Sequence, residues 1–340
     1  MSGFFGIMVK KLFVIKTKET NPWHNLALEE TLLNMVKPDE CILYLWQNRQ
    51  TVVIGRNQNA LSECHIQNLE SDGGFLARRL SGGGAVYHDI GNLNFTFLAS
   101  SDSFNKEKQT DVILKAVRIA GINAKKNGRN DLTVDGQKFS GHAYYKTKDQ
   151  CYHHGTLMLY VDKTNLSDYL NVSPLKLKSK GVASVKSRVI NLCELNPTLT
   201  VEALSENLIK AFSEVYGLPV DFLKEEDIDT EEVSRLEEKY SSPEWKYAGQ
   251  EILPFSVEKR FDWGQARFDF EKSKNKFGKI QFYSDGLDAD FLSEISERLS
   301  GCEMKSDEIL SRLVKNTDKD LIHIAKDIAS MISEKIAEEN

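Results

Sequence analysis

Arg78-Arg79-Leu80-Ser81-Gly82-Gly83-Gly84-Ala85-Val86-Tyr87-His88-Asp89-Ile90-Gly91-Asn92 is the densest signal in the chain. Three consecutive glycines cost backbone entropy and contribute no packing. They suit a loop that a ligand approaches at the main chain, with exposed N–H groups that cradle an anion. The two arginines ahead of it are planar donors suited to phosphate or carboxylate. The loop is not a P-loop, because no Gly-Lys-Ser/Thr follows. It is not a dinucleotide fingerprint either, because Tyr87 stands where the third glycine belongs and no helix follows. The β-rich runs Phe75–Arg79 and Leu93–Leu98 flank it. A loop between strands, in a chain without a strict βαβ rhythm, points to α+β rather than a doubly wound sheet.

Upstream, Asn21-Pro22 ahead of Leu26, Ala27, Leu32, Leu33 and Val36 predicts a capped helix with proline in its first turn. Cys41–Trp46 and Thr51–Gly55, joined by the polar Gln47-Asn48-Arg49-Gln50, read as a hairpin. Downstream, a helix from about Phe104 ends at Gly121. Leu132–Val134, the Asp135-Gly136 turn and Gln137–Phe139 form a hairpin signal, and His154–Val161 reads as a strand. A helix from Thr200 ends at Gly217, and the charged stretch Lys224–Lys239 predicts an exposed helix. Beyond Gln250 the pattern resets. Phe261–Glu271 and Lys279–Tyr283 read as paired strands, followed by helices at Phe291–Leu299 and Asp318–Ala337. The domain boundary is placed near 250–256, giving domains 1–250 and 256–340.

The chain has 340 residues, which at roughly 150 residues per domain suggests two domains. With 41% hydrophobic residues and 9% aromatics it can bury a large core, which excludes a largely disordered protein. The net charge of −6 argues against a whole-surface nucleic-acid or membrane binder. No apolar run approaches the roughly 20 residues that span a bilayer, and the N-terminus lacks the features of a secretory signal. Five cysteines without a Cys-x-x-Cys pair fit a reducing compartment, so a cytoplasmic location is expected.

Three further segments carry chemistry. In Gly128-Arg129-Asn130-Asp131-Leu132 followed by Gln137-Lys138-Phe139-Ser140-Gly141, a hairpin strand can aim Lys138 inward at a phosphate or carboxylate. Asp131 is a candidate Mg²⁺ ligand beside it. In Cys151-Tyr152-His153-His154-Gly155-Thr156, adjacent histidines on a strand face opposite ways and do not easily share one metal. Cys151 is the one cysteine near a motif that could serve as an acyl-carrying nucleophile. From Tyr169 to Cys193 there is no acidic residue, while Lys176, Lys178, Lys180, Lys186 and Arg188 form a basic segment suited to covering a polyphosphate. Together these segments suggest a pocket for a nucleotide plus an acid.

Over nearly its whole length the chain resembles the lipoate–protein ligase A family. The resemblance is carried by Pro22–Glu30, by Trp46 with Val52–Arg56, and by Arg78–Asn92. It continues through Gly128–Leu132, Lys138–Gly141, His153–Leu157 and Lys180–Val189, in the family's order and spacing. The resemblance implies an α+β fold of biotin/lipoate ligase type: a large catalytic domain of mixed sheets flanked by helices, plus a small C-terminal α+β accessory domain. It implies activation of lipoate (or octanoate) with ATP and Mg²⁺ to lipoyl-AMP. Transfer to a lysine on the lipoyl domains of 2-oxoacid dehydrogenase E2 subunits or on the glycine cleavage H protein would follow.

By the same resemblance, Lys138 is the central catalytic lysine. The adenylate would be held by Arg79, Gly84, Ala85, Val86, Tyr87, Asp131 and Lys138, with Lys180, Gly181, Val182 and Ser184 in the loop that closes over it. Lipoate would meet Trp46, Arg79, Gly82, Gly83, Lys138 and His154. His142 stands where family members usually have a smaller residue. The rival readings are an ATP-independent octanoyl or lipoyl transferase that uses a cysteine or lysine on an acyl-carrier substrate, and a non-catalytic sensor of lipoate or nucleotide. A monomer is expected.

Overall fold

The computed structural model of the chain describes residues 7–128, 130–171, 189–248 and 250–338. The strands are β1 (Lys11–Lys16), β2 (Glu40–Trp46), β3 (Thr51–Ile54), β4 (Phe75–Arg78), β5 (Val86–His88), β6 (Asn92–Ser100) and β7 (Lys125–Asn127). They continue as β8 (Asp131–Val134), β9 (Gln137–Lys146), β10 (Gln150–Met158), β11 (Val220–Phe222), β12 (Phe255–Phe261), β13 (Gly264–Ser273) and β14 (Lys276–Ser284). The helices that matter here are α1 (Pro22–Met35), α2 (Lys106–Ile119), α3 (Val201–Tyr216), α4 (Thr230–Ser241), α5 (Ser306–Val314) and α6 (Ile322–Glu338).

An eight-stranded sheet in the order β11-β1-β2-β6-β10-β9-β8-β7 forms the frame. Its β11, β1 and β2 run parallel, and the other pairings are antiparallel. Both faces of its centre are buried, and every residue of β2 and β6 is buried, the polar Asn94 and Thr96 included. On β2 and β6, Cys41, Leu43, Leu45, Phe95 and Phe97 pack with Val112 of α2 and Phe212 of α3. The alternate residues Ile42, Tyr44, Trp46 and Leu98 pack with Leu28 and Leu32 of α1 and with Leu236 of α4. A second sheet, β4-β3-β5, lies on this second side and shares its core through Val53 and Ala77.

Local signals set the helix ends as expected. Asn21 accepts from the Trp23 N–H at the start of α1. Thr200 caps α3, which stops at Gly217 in the left-handed region (φ +71°). Asp135 and Gly136, at φ +49° and +81°, make the tight turn of the β8–β9 hairpin.

Three expectations are corrected. Thr51–Ile54 does not pair with Glu40–Trp46 as a hairpin; the polar link instead hands the chain from the large sheet to the second one, where β3 pairs β4 and β5. The tertiary demand to bury both faces of two fully buried strands outweighs the local hairpin signal. The charged helix within 224–239 is not simply exposed: Val233, Leu236 and Tyr240 of α4 are buried against α1, and Lys239 and Tyr240 both reach Glu30 at 2.8 and 2.7 Å. In the C-terminal part the stretch read as one strand from Phe261 breaks at Asp262-Trp263, so the unit has three antiparallel strands, β12-β13-β14. Phe268 and Phe270 of that sheet share a core with Ile309 of α5 and Ile328 and Ile332 of α6.

Candidate active site

The glycine-rich segment joins β4 to β5 in the second sheet, facing the large one. Arg78 and Arg79 are both buried. Arg78 donates to the carbonyls of Arg56 and Gln58 at 2.8 and 2.7 Å and to that of Lys246 at 2.8 Å. Arg79 donates to the carbonyls of Val53, Gly82 and Gly84 at 3.1, 2.7 and 2.9 Å, and to Ser81 Oγ at 3.0 Å. The sequence suggested that these guanidiniums reach outward for an anion. In the structure they are committed to main-chain carbonyls and shape the loop. Burial pushes both down to about 10, so they stay charged at neutral pH. The N–H groups of Gly84 and Ala85 donate to none of the described residues, and amides without a partner can cradle an anion.

The close main-chain approach that glycine allows is made here by the C-terminal unit. Gly83 N–H donates to Gly286 O at 3.1 Å, and a Cβ on Gly82 would lie 2.2 Å from that same oxygen. Arg56 pairs with Asp290 at 2.7 Å alongside, and Asn57 Nδ2 donates to Ala289 O at 2.7 Å. Tyr87 is buried, packs its ring at a tilt against Tyr169 and accepts from Asn165 at 2.8 Å.

A buried polar chain links the two sheets. Trp46 Nε1 donates to Thr96 Oγ1 (3.1 Å), whose hydroxyl donates to Glu29 Oε1 (2.6 Å). His154 Nδ1 meets the same Glu29 oxygen at 2.9 Å, and His154 Nε2 meets Ser81 Oγ at 2.7 Å. With a carboxylate oxygen accepting at that end, Nδ1 is a ring nitrogen that donates. Trp46 and His154, expected together from sequence, are thus joined through Glu29 of α1, a residue sequence reasoning did not single out.

His88 was missed as well. Its Nδ1 lies 3.2 Å from Asn48 Nδ2, and its Nε2 has no partner among the described residues, although the side chain is buried. Asn25 donates to Asn48 Oδ1 at 3.0 Å, which fixes the Asn48 amide as donor to His88. His88 Nε2 therefore carries a hydrogen with nothing to give it to. Burial first, then Arg79 and His154, push His88 down to about 3, so it is neutral at ordinary pH. The available signal was its place in the glycine segment, two residues after Val86.

Lys138 is aimed by a bulge. In the β8–β9 pair, Thr133 faces Lys138 but Leu132 faces Ser140, so Phe139 is the extra residue. Lys138 Nζ sits 2.7 Å from Asp131 Oδ1, and a Cβ on Gly141 would lie 2.8 Å from that nitrogen. Beyond Gly141, alternation puts Tyr145 against Tyr152 on the face that carries Trp46 and His154. Ala143 reaches the glycine loop, its Cβ 3.9 Å from the position a Cβ on Gly83 would take. Lys138 and the glycine loop therefore lie along one strand.

Cys151 is buried against Ser101, and burial pushes its thiol up, the opposite of an activated nucleophile. The described residues hold no group of three or more His, Cys, Asp or Glu that could bind a metal, and no helix long and apolar enough to cross a membrane. Lys180, Gly181, Val182 and Ser184, with Arg129 and the rest of the basic segment at 172–188, lie outside the described residues.

Two family models match this architecture: the lipoyl protein ligase A/B catalytic domain over residues 21–213, and the bacterial lipoate protein ligase C-terminus over residues 254–333. A lipoate-protein ligase A of Psychrobacter cryohalolentis is 38% identical over 310 residues, covering 89% of this chain and 91% of that protein. The crystal structure of P. falciparum LipL1 in complex with lipoate superposes with a TM-score of 0.84 at 31% identity, over 95% of this chain and 99% of that one. A lipoate-protein ligase A bound with ATP superposes with a TM-score of 0.60 at 26% identity, over 71% of this chain and 99% of that one.

Proposed function

The chain belongs to the lipoyl protein ligase A/B family, and on that premise we propose that it is an ATP-dependent lipoate–protein ligase whose site works as follows. A lipoate carboxylate oxygen attacks the α-phosphorus of ATP. The new P–O bond forms as the bond to the β-phosphate oxygen breaks, releasing pyrophosphate and leaving lipoyl-AMP. The ε-amine of an acceptor lysine then attacks the acyl carbon. The C–N bond forms, AMP leaves and the amine loses a proton.

The first step brings two anions together, so fixed positive charge must offset their repulsion. Lys138 is assigned that role, between the acyl oxygen and the α-phosphate. The observation that carries the reading is Lys138 itself: a bulge turns it onto Asp131 at 2.7 Å, on the sheet face that also holds Trp46 and His154. The N–H groups of Gly84 and Ala85 are assigned to the phosphate, with Val86 and Tyr87 lining that edge. Arg79 acts by holding the loop's carbonyls, which turns its amides the other way. The space between the two sheets, beside Trp46, Gly82, Gly83 and His154, is assigned to lipoate, and His88 Nε2–H supplies a buried donor to it.

Mg²⁺ commonly takes one or two protein carboxylates and completes its shell with phosphate oxygens and water. Asp131 fits as that single carboxylate, and the bound ion would add positive charge at the phosphates. Lys180, Gly181, Val182 and Ser184 are assigned to the nucleotide on sequence resemblance alone. We further assign a catalytic unit to residues 1–250 and an accessory unit to 256–340, acting as a monomer in the cytoplasm. Its acceptors would be lipoyl domains of E2 subunits and the H protein.

The test is pyrophosphate release from ATP and Mg²⁺ with lipoate, with and without an acceptor lipoyl domain. Lipoate-dependent release with acyl transfer is expected. No release from folded protein would overturn the proposal. The transferase alternative would require ATP-independent transfer abolished by Cys151→Ser, and the burial of that thiol does not favour it.

A further inference from the structure

Beneath the bulge, on the sheet face opposite Lys138, runs a second buried polar chain that the reaction does not use. Ser140 Oγ lies 3.1 Å from His142 Nε2, and His142 Nδ1 lies 3.0 Å from His153 Nε2. His153 Nδ1 in turn lies 3.1 Å from Gln109 Oε1 on α2. All four side chains are buried. With the Gln109 oxygen as acceptor, one proton assignment satisfies every link. His153 Nδ1–H donates to Gln109, His142 Nδ1–H donates to His153 Nε2, and the Ser140 hydroxyl donates to His142 Nε2. Both imidazoles are neutral in this arrangement.

The surroundings give such a chain no other purpose. Phe95 meets both histidines in T-shaped contacts with centroids 5.4 Å away, Phe97 lies tilted against His153 at 5.9 Å, and Tyr144 stacks on His153 at 4.6 Å. Two apolar side chains of similar volume would fill that space without the desolvation of four polar groups. A chain of this kind earns its place by specifying one arrangement over another. The arrangement at stake here is a register. Phe139 and Ser140 are consecutive, yet Phe139 lies in the core shared with α2 and Ser140 also turns to that side, toward His142. That doubled residue lets Lys138 share a face with Gly141. A one-residue slip that erased the bulge would send Lys138 to the α2 side.

We infer that His142, backed by His153 and Gln109, is a positioning residue: through Ser140 it pins the bulge that turns Lys138 onto Asp131. The inference rests on the assignment of Lys138 as the lysine that activates the acid. Further support comes from the main chain at the same point, where Ile190 N–H donates to Lys138 O at 2.9 Å. That bond anchors the backbone of Lys138 but not the residues after it.

Ser140→Ala removes the hydroxyl with little loss of volume, Ser140→Thr keeps a hydroxyl, and His142→Leu breaks the chain one link further back. The readouts are kcat and KM for lipoate-dependent pyrophosphate release, with thermal melting alongside and Lys138→Ala as control. A misplacement of about 1 Å can cost on the order of 10²-fold in rate. The expected result is a fall in kcat of about tenfold or more for Ser140→Ala and His142→Leu. KM for ATP and lipoate should stay within about twofold, and Ser140→Thr should recover most of the loss. Wild-type kcat in Ser140→Ala, with Lys138→Ala inactive, would overturn the inference; so would a loss in Ser140→Ala that Ser140→Thr fails to recover. If His142→Leu does not fold, the serine pair decides alone. Activity in Lys138→Ala would instead sink the assignment of the lysine.

Discussion

His88 offers a measurement that joins stability to the chemistry of the site. Its imidazole is buried and is held down to about 3 by burial, with Arg79 and His154 adding to the effect, against an ordinary value of 6.5. In the unfolded chain it takes a proton as pH falls through 6.5, while in the fold it refuses one. Its contribution to stability is therefore fully present above about 6.5 and is lost as pH falls from there toward 3. At pH 5 the deficit is one and a half pH units at about 1.4 kcal/mol each, or about 2 kcal/mol.

Other groups titrate over the same range. His142 and His153 are also depressed by burial, so the pH loss of wild type alone proves nothing about His88. The comparison is a double difference: urea unfolding of wild type and His88→Gln, each at pH 7.5 and pH 5, at one ionic strength. Wild type should lose about 2 kcal/mol more than the variant between the two pH values. A double difference below about 0.5 kcal/mol would refute the reasoning, because the imidazole would then be charged or wet in the folded protein. It would also remove the neutral Nε2–H donor from the proposed lipoate site.

Glu29→Leu strips the partner from His154 and Thr96 and should cost about 2–4 kcal/mol in urea unfolding, whereas Glu29→Gln, which keeps an accepting oxygen, should cost less than half of that. Asp131→Asn should lower kcat for pyrophosphate release by roughly 10²-fold, while transfer from supplied lipoyl-AMP changes less than tenfold. Equal losses in the two half-reactions would count against its place at the phosphates. Gly155→Ala puts a methyl 2.6 Å from Gly141 O and 2.6 Å from the Phe95 ring, and overpacking of this kind costs about 1–3 kcal/mol, readable in a thermal melt.

What the sequence disclosed was local. The Asp135-Gly136 turn, the cap at Asn21 and the stop at Gly217 are decided by neighbours within four residues, and each formed where expected. The glycine segment stood out because three adjacent glycines are hard to explain by packing. The misses belong to long-range terms. Whether Thr51–Ile54 pairs with the strand before it or with Phe75–Arg78 depends on where the second sheet finds its core. Glu29 looks like any helix carboxylate until β6 and β10 bring Thr96 and His154 to it. Arg79 has the chemistry to hold a phosphate, and nothing in its neighbours foretells that three carbonyls will claim it first. The bulge at Phe139 leaves no trace in composition, since one extra residue in a strand reads the same as none.

The parallel pairing of β1 with β11 joins Leu12–Val14 to Val220–Phe222. On a ribosome the first of these segments emerges some two hundred residues before the second. Until then β1 can pair with β2, but its outer edge offers unpaired N–H and C=O groups to any passing strand. The plug is three residues long, and α3 delivers it. A nascent chain stalled inside α3 would carry a nearly complete sheet with the outer edge of β1 uncovered. The dependence of this protein on holding chaperones should thus be greatest late in synthesis, and a nonsense mutation just before Val220 should yield aggregates rather than a smaller folded protein.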